Sequence, residues 1–112
     1  GFAPLSSLPL LYSGCDLMIY PSIFEGFGFP IIEALACGAP VICSNTSSMK
    51  EIAGDLVATF DPTDVPAMTY CIESALAAGW SDAQRNKGIA YASTFQWEKT
   101  AQDVIKVYES VV

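Results

Sequence analysis

Three short apolar runs without polar alternation predict strands that are covered on both faces. They occupy residues 17–20, 41–43 and 57–60. Runs of this kind are typical of parallel sheets, because helices pack on both faces of such sheets. The pattern therefore predicts a parallel sheet, with Tyr20 and the nearby Ile23 in its core.

Capping and stop residues divide the rest of the chain into predicted helices. These helices cover residues 8–13, 30–37, 48–54, 65–78, 82–93 and 97–111. Pro30 opens the second helix and Gly38 follows it, which is the usual order of these two residues around a helix. Ser48 and Glu51 have the spacing of a capping box for the third helix.

The order of these elements predicts the fold class, which is α/β with a Rossmann-like parallel sheet and flanking helices. Three strands are about half of the six that a doubly wound nucleotide-binding domain usually has. We therefore expect residues 1–112 to form one partial domain, the latter half of such a fold. Its open sheet edge would offer a surface for self-association.

Composition narrows the classes of function. Hydrophobic residues make up 52% of the chain and charged residues 15%, which is typical of a globular interior rather than of disorder. The formal net charge is −7 and only 5 residues are Lys or Arg, so the chain has no basic surface for nucleic acid.

The 4 cysteines lie in apolar stretches, and the chain has no histidine. Without a Cys-x-x-Cys pair or histidine partners, buried free thiols are favoured over metal ligation. No basic segment opens the chain, and no apolar run reaches the roughly 18 residues of a membrane span. We expect a cytoplasmic protein without a bound metal or cofactor.

The loop of residues 22–29 joins a predicted strand to a predicted helix, at the edge of the sheet where α/β proteins bind ligands. Gly26 and Gly28 let a ligand approach the backbone, and the helix that follows offers free amides and the positive end of its dipole. This favours a phosphate site, although a tight turn alone also explains the glycines. A dinucleotide fingerprint is disfavoured, because Ile31 stands where its third glycine belongs.

Two glutamates flank these glycines. Glu33 interrupts an otherwise apolar helix, and a buried carboxylate needs hydrogen-bond donors, so a ligand contact is favoured. The alternative is a first-turn carboxylate that only complements the helix dipole. Glu25, taken alone, is best explained as a solvated loop residue. Phe24 and Phe29 are predicted to pack the loop onto the sheet.

The surroundings of the two glutamates form a more specific pattern. Glu25 and Glu33 are separated by seven residues. Together with Pro21-Ser22, Gly26-Phe27-Gly28-Phe29-Pro30, Ala34 and Gly38-x-Pro40-Val41-Ile42, they resemble the E-x7-E signature of family-4-type retaining glycosyltransferases. The similarity continues through Asp61-Pro62 to Phe95-x-Trp97-Glu98. It covers essentially the whole chain but only the last part of a typical member.

The resemblance implies the GT-B architecture, in which two Rossmann-like domains face each other and the C-terminal one binds a nucleotide sugar. It implies that Glu25 contacts hydroxyls of the donor sugar and that Glu33 accepts hydrogen bonds from the ribose. Backbone amides would hold the sugar and the diphosphate, and they belong to Gly26, Phe27, Gly28, Phe29 and Ile31. Members of this family retain the anomeric configuration and generally need no metal.

The chain would supply only part of a donor site. A diphosphate leaving group usually calls for Lys or Arg as well as amides, yet no basic residue precedes Lys50. The missing cations and the acceptor domain would lie elsewhere in the complete enzyme, so the isolated chain is predicted to be inactive. That enzyme would move a hexose from a UDP- or GDP-sugar to a glycan or lipid-linked acceptor, in the cytoplasm or at the inner face of the membrane.

The stretch from Pro21 to Glu51, and residues 44–48 above all, resembles mannosyltransferase-like members. Residues 44–48 would line the nucleotide side of the cleft, although a capping box explains Ser48 and Glu51 without any ligand. Two alternatives stay open. One is a noncatalytic binding or assembly half-domain that completes its fold with another polypeptide, which the short length and the missing cations favour. The other is a nucleotide-sugar epimerase of the same architecture, which the paired glutamates disfavour.

Overall fold

The computed structural model describes residues 1–112 and contains a three-stranded parallel sheet with helices around it. The strands are β1 (Met18–Tyr20), β2 (Val41–Ser44) and β3 (Ala58–Phe60). The α-helices are α1 (Leu8–Gly14), α2 (Phe29–Ala36), α3 (Met49–Ala53), α4 (Val65–Ala78), α5 (Asp82–Ala92) and α6 (Trp97–Ser110), and a 3-10 turn at Leu5–Ser7 precedes α1. The predicted α/β class and parallel sheet are confirmed.

Strand β2 is the centre of the sheet, with β1 on one side and β3 on the other. In the register, Ile42 of β2 pairs with Ile19 of β1 and with Ala58 of β3. All four residues of β2 are buried, as its apolar run predicts. The same prediction is wrong for the outer strands, where Ile19 and Ala58 are exposed. An edge strand has a neighbour on one side only, so helices cover it less completely.

The core lies where α2 packs on the sheet, on α3 and on α5. Ile31 and Leu35 of α2 are fully buried. Gly88 of α5 approaches α2 so closely that a methyl group there would stand 3.2 Å from Leu35 Cδ2. Helix α2 is not apolar and buried all round, because Glu33 and Ala36 form an exposed strip along it.

The hydrogen bonds at the N-termini of the helices test the predicted capping box. The predicted capping box of Ser48 and Glu51 is wrong, because Ser48 has helical backbone angles and makes no capping hydrogen bond. Its hydroxyl instead donates to the carbonyl of Glu25, 2.9 Å away. A capping box does form at the start of α5, between Ser81 and Gln84.

The residues of helix α6 are all exposed. None of the helices combines the length and the apolar character that crossing a membrane requires. The cysteines are all free thiols, as predicted, although only Cys43 is fully buried. Burial raises the pKa of the Cys43 thiol to about 11.

Candidate functional site

Two loops meet at the carboxyl edge of the sheet. One follows β1 and carries Glu25, and the other follows β2 and carries Thr46, Ser47 and Ser48. Three hydrogen bonds join them. Thr46 Oγ1 donates to Ile23 O at 2.9 Å, Ser48 Oγ donates to Glu25 O at 2.9 Å, and Glu25 N donates to Ser47 Oγ at 3.1 Å. The second loop therefore fixes the backbone of Glu25 from both sides.

The Glu25 carboxylate is also held by side chains. Its Oε1 accepts hydrogen bonds from Tyr20 Oη at 2.7 Å and from Ser22 Oγ at 3.0 Å. The Ser22 hydroxyl lies 3.2 Å from Phe24 O as well, so it divides its single hydrogen between two acceptors. Glu25 Oε2 accepts no hydrogen bond from the chain. This half-buried carboxylate therefore has one oxygen fixed by the protein and one free for a ligand.

Glu33 lies on α2 and is exposed. Its Oε2 accepts one hydrogen bond, from Tyr12 Oη of α1 at 3.2 Å. The alternative of a first-turn carboxylate is wrong, because the first turn of α2 holds no acidic residue and Glu33 comes one turn later. The premise that Glu33 is a buried carboxylate is wrong, because it lies on the exposed side of α2, and its contact with a ligand stays a prediction.

The two glutamates and their tyrosine partners form one tyrosine–glutamate cluster of Tyr12, Tyr20, Glu25 and Glu33. Burial raises the pKa of Tyr20 to about 12, with further contributions from its hydrogen bond to Glu25 and from the charges of Tyr12 and Glu33. Burial likewise raises the pKa of Tyr12, followed by the effect of Glu33. The two pairs are therefore within electrostatic reach of each other.

The backbone between the two glutamates carries unused donors. The amides of Gly26, Phe27, Gly28 and Phe29 donate to no other group of the chain, and we call them the loop amides. The Ile31 amide, which was predicted to join them, already donates to Gly28 O at 3.0 Å. Gly28 is the N-cap residue directly before α2 and has a φ of 103°, a left-handed conformation that favours glycine. The predicted phosphate cradle thus has four free amides rather than five.

Two of the basic side chains are engaged elsewhere in the fold. Arg85 lies at the far end of α2, where its Nη1 donates to Gly38 O. Lys106 forms a salt bridge with Asp103 on α6. Lys50 is exposed and is the second residue of α3, directly after the loop that follows β2. Beside the glycines themselves, positive potential comes from amides and from the α2 dipole.

Aromatic side chains border the loop amides. Phe29 contacts Phe27 at a ring-centroid distance of 4.6 Å and Trp97 at 6.2 Å. A groove of about 490 Å³ runs along these rings. The prediction that Phe29 packs the loop onto the sheet is wrong, because Phe29 is half exposed and its ring contacts aromatic neighbours instead. The packing predicted for Phe24 and the core position predicted for Ile23 are wrong, because they are 77% and 70% exposed.

Sequence reasoning missed the partners of the glutamates. Tyr20 was predicted to be a core residue, but it is half-buried and its hydroxyl points to Glu25. No role was predicted for Tyr12, which lies on α1. One signal was available, since Tyr20 is the last residue of a strand, directly before the loop. The structure brings together no group of three or more Cys, Asp or Glu side chains that could hold a metal ion.

Comparisons with known proteins place the chain among sequences of one family. The family model described as "Glycosyl transferases group 1" matches residues 1–92. The O-antigen chain mannosyltransferase B of Escherichia coli is 39% identical over 110 residues, which are 97% of this chain and 29% of that protein. The serotype-specific mannosyltransferase WbdA of Escherichia coli is 36% identical over 107 residues, which are 95% of this chain and 13% of that protein.

A solved structure is similar over the whole chain. It is the sucrose-phosphate synthase from Thermosynechococcus elongatus, with a TM-score of 0.82 and 28% sequence identity. The match covers 99% of this chain and 29% of the synthase. The chain thus spans less than a third of the length of each protein compared here.

Proposed function

The chain belongs to the Glycosyl transferases group 1 family, and from this premise we propose that it is the latter half of the donor-binding domain of a longer hexosyltransferase. The parent enzyme would have the GT-B architecture and would retain the anomeric configuration of the sugar. Its donor is a UDP- or GDP-hexose and its acceptor a glycan or lipid-linked sugar. The names of the two mannosyltransferases favour mannose as the hexose.

One observation carries this proposal. A carboxylate with a free oxygen, four free amides and a second carboxylate occur at one edge of the sheet, at Glu25, residues 26–29 and Glu33. Sugar hydroxyls donate hydrogen bonds, which suits the carboxylates, and phosphate oxygens accept them, which suits the amides. A nucleotide sugar has hydroxyl groups on either side of its diphosphate, on the hexose and on the ribose. This order of hydroxyls, phosphates and hydroxyls matches the order of carboxylate, amides and carboxylate along the chain.

Each group then has a role. Glu25 Oε2 accepts from hydroxyls of the hexose, and Glu33 accepts from the ribose. The loop amides and the dipole of α2 stabilise the diphosphate as negative charge develops on it during departure. Amides leave much of that charge uncompensated, so the parent enzyme supplies further Lys or Arg from outside this chain. The isolated chain accordingly binds part of a donor and performs no transfer.

The test separates the two glutamates in the complete parent enzyme. Glu33→Ala is expected to weaken binding of both the free nucleotide and the nucleotide sugar by about 1.5–3 kcal/mol, because the ribose belongs to both ligands. Glu25→Ala is expected to leave free-nucleotide affinity unchanged while lowering turnover, because its contacts belong to the hexose that moves. Calorimetry with GDP and UDP, and steady-state kinetics with their hexose conjugates, measure these effects.

Glu73→Ala is the matched control, because Glu73 is an exposed glutamate on α4, outside the site. It should change neither binding nor turnover. Equal loss of free-nucleotide affinity in the Glu25 and Glu33 variants would refute the division of roles. Wild-type behaviour of both would refute the donor site itself.

A further inference from the structure

The tyrosine–glutamate cluster contains a side chain to which the proposed function gives no role. Tyr20 ends β1, and its hydroxyl donates to Glu25 Oε1 at 2.7 Å, the shortest of the hydrogen bonds to that carboxylate. Its pKa of about 12 keeps this hydroxyl protonated and able to donate at neutral pH. Nothing in the binding of a nucleotide sugar requires a direct contact with Tyr20.

We propose that Tyr20 is a positioning residue that fixes the rotation of the Glu25 carboxylate, so that Oε2 faces the donor hexose. This inference rests on the proposed function of Glu25. Tyr20 then strengthens binding of the hexose through Glu25 and leaves binding of the nucleotide unchanged.

The two residues differ in what holds their backbones. Tyr20 lies in a strand, and its register partner on β2 is the buried Cys43. Its carbonyl also accepts a hydrogen bond from the buried Ser44 hydroxyl at 3.4 Å. Glu25 lies in an irregular loop, where a carboxylate can rotate unless a donor holds it. A rigid strand residue therefore sets the orientation of a loop residue.

The kind of side chain that donates the hydrogen bond to Glu25 also matters. A Lys or Arg partner would neutralise Glu25 and compete with sugar hydroxyls for its negative charge. A tyrosine hydroxyl holds one oxygen without adding a positive charge, so Oε2 stays a strong acceptor. Ser22 supplements this bond only in part, because its hydrogen also serves Phe24 O.

A double-mutant cycle in the complete parent enzyme distinguishes positioning from simple packing of the ring. The variants are Tyr20→Phe, Glu25→Ala and the pair combined. The quantity measured is the sugar increment, which is the ratio of the dissociation constant of free nucleotide to that of nucleotide sugar. The probes are GDP with GDP-mannose and UDP with UDP-glucose, and calorimetry needs no turnover to give this ratio.

Tyr20→Phe is expected to lower the sugar increment about tenfold, as for loss of a hydrogen bond to a charged group, with free-nucleotide affinity unchanged. In the Glu25→Ala background the same substitution should change the increment by less than about twofold, because there is no carboxylate left to position. Tyr70→Phe, at a tyrosine of α4 that is 74% exposed, is the matched control and should have no effect.

The outcomes keep the two claims apart. If Glu25→Ala lowers the sugar increment but Tyr20→Phe lowers it equally in both backgrounds, positioning is refuted and the donor site stands. If Glu25→Ala has no effect, the proposed function of Glu25 fails, and the positioning role fails with it. Should the Tyr20→Phe variant not fold, Ser22→Ala replaces it. Because the Ser22 hydrogen bond is shared, we expect the sugar increment to fall about two- to threefold, and this effect should again vanish in the Glu25→Ala background. An undiminished Ser22→Ala effect in that background would overturn the proposal.

Discussion

Glu25 and Glu33 occupy the same edge of the sheet, but the protein holds them in different ways. Glu25 lies in a loop, and hydrogen bonds fix its amide, its carbonyl and one carboxylate oxygen. Glu33 lies on α2, is exposed, and makes one longer side-chain hydrogen bond to Tyr12. The backbone of Glu33 is placed instead by the buried face of its helix.

The difference shows two ways to place a carboxylate. A helix residue is positioned by the packing of the whole helix, so single hydroxyl groups matter little to it. A loop residue has no such support, and each hydroxyl that ties it down matters more. The two glutamates should therefore respond to different sets of mutations. Substitutions at three positions test this contrast, from the largest expected effect to the smallest.

Leu35→Ala loosens the packing of α2, the helix that positions Glu33. Leu35 is fully buried on α2, so the cavity should lower the free energy of unfolding by about 2–5 kcal/mol. We also expect free-nucleotide affinity to fall more than the sugar increment, because α2 carries the ribose contact. Urea unfolding and calorimetry of the complete parent enzyme measure both. Leu76→Ala, at a half-exposed leucine of α4, is the control, and an equal loss of stability there would contradict the argument.

Substitutions of Ser47 attack the support of Glu25. Ser47 has a φ of 50°, and its hydroxyl accepts a hydrogen bond from the Glu25 amide. Ser47→Ala loses this hydrogen bond, which should lower the free energy of unfolding by about 1 kcal/mol, and it keeps the strain of the left-handed backbone. Ser47→Gly loses the same bond but relieves about 1 kcal/mol of left-handed strain, so its stability should stay near wild type. The sugar increment should fall equally in both variants. Thermal unfolding that ranks the glycine variant below the alanine variant would contradict this account.

Tyr12→Phe removes the only side-chain hydrogen bond to Glu33. Because the helix still places Glu33, we expect only about 0.5 kcal/mol of lost free-nucleotide affinity, less than the roughly 1.5–3 kcal/mol of a hydrogen bond to a charged group. Calorimetry with free nucleotide measures this change, which should be smaller than the effect of Tyr20→Phe on the sugar increment. A Tyr12→Phe effect larger than that of Tyr20→Phe would remove the contrast between the two glutamates.

The regular elements could be predicted from sequence because their signals are local. The apolar run of β2 predicted a buried strand, and α4 has the bounds that its pattern predicts, Val65–Ala78. The exposure of Ile19 in β1 could not be found in this way, because it depends on how many strands and helices surround that run.

The site was predicted less completely, because its contacts join distant parts of the chain. Ser48 has the local spacing of a helix cap, but the carbonyl of Glu25 competes for its hydroxyl from 23 positions away. Ile23 and Phe24 are apolar residues in a loop that projects outwards, which hydrophobicity alone does not reveal. The predicted contacts of Glu25, Glu33 and the loop amides with a donor stay predictions.

The loop amides have a consequence for how the site would respond to its surroundings. Amides and a helix terminus act as dipoles, whose fields fall off faster with distance than the field of a lysine or arginine side chain. Dissolved salt screens exposed charges beyond roughly 8–10 Å at physiological ionic strength, but it hardly affects a hydrogen bond at contact distance. The loop amides would therefore hold a diphosphate by short-range contacts that tolerate salt, while long-range attraction of the anion falls to Lys and Arg side chains.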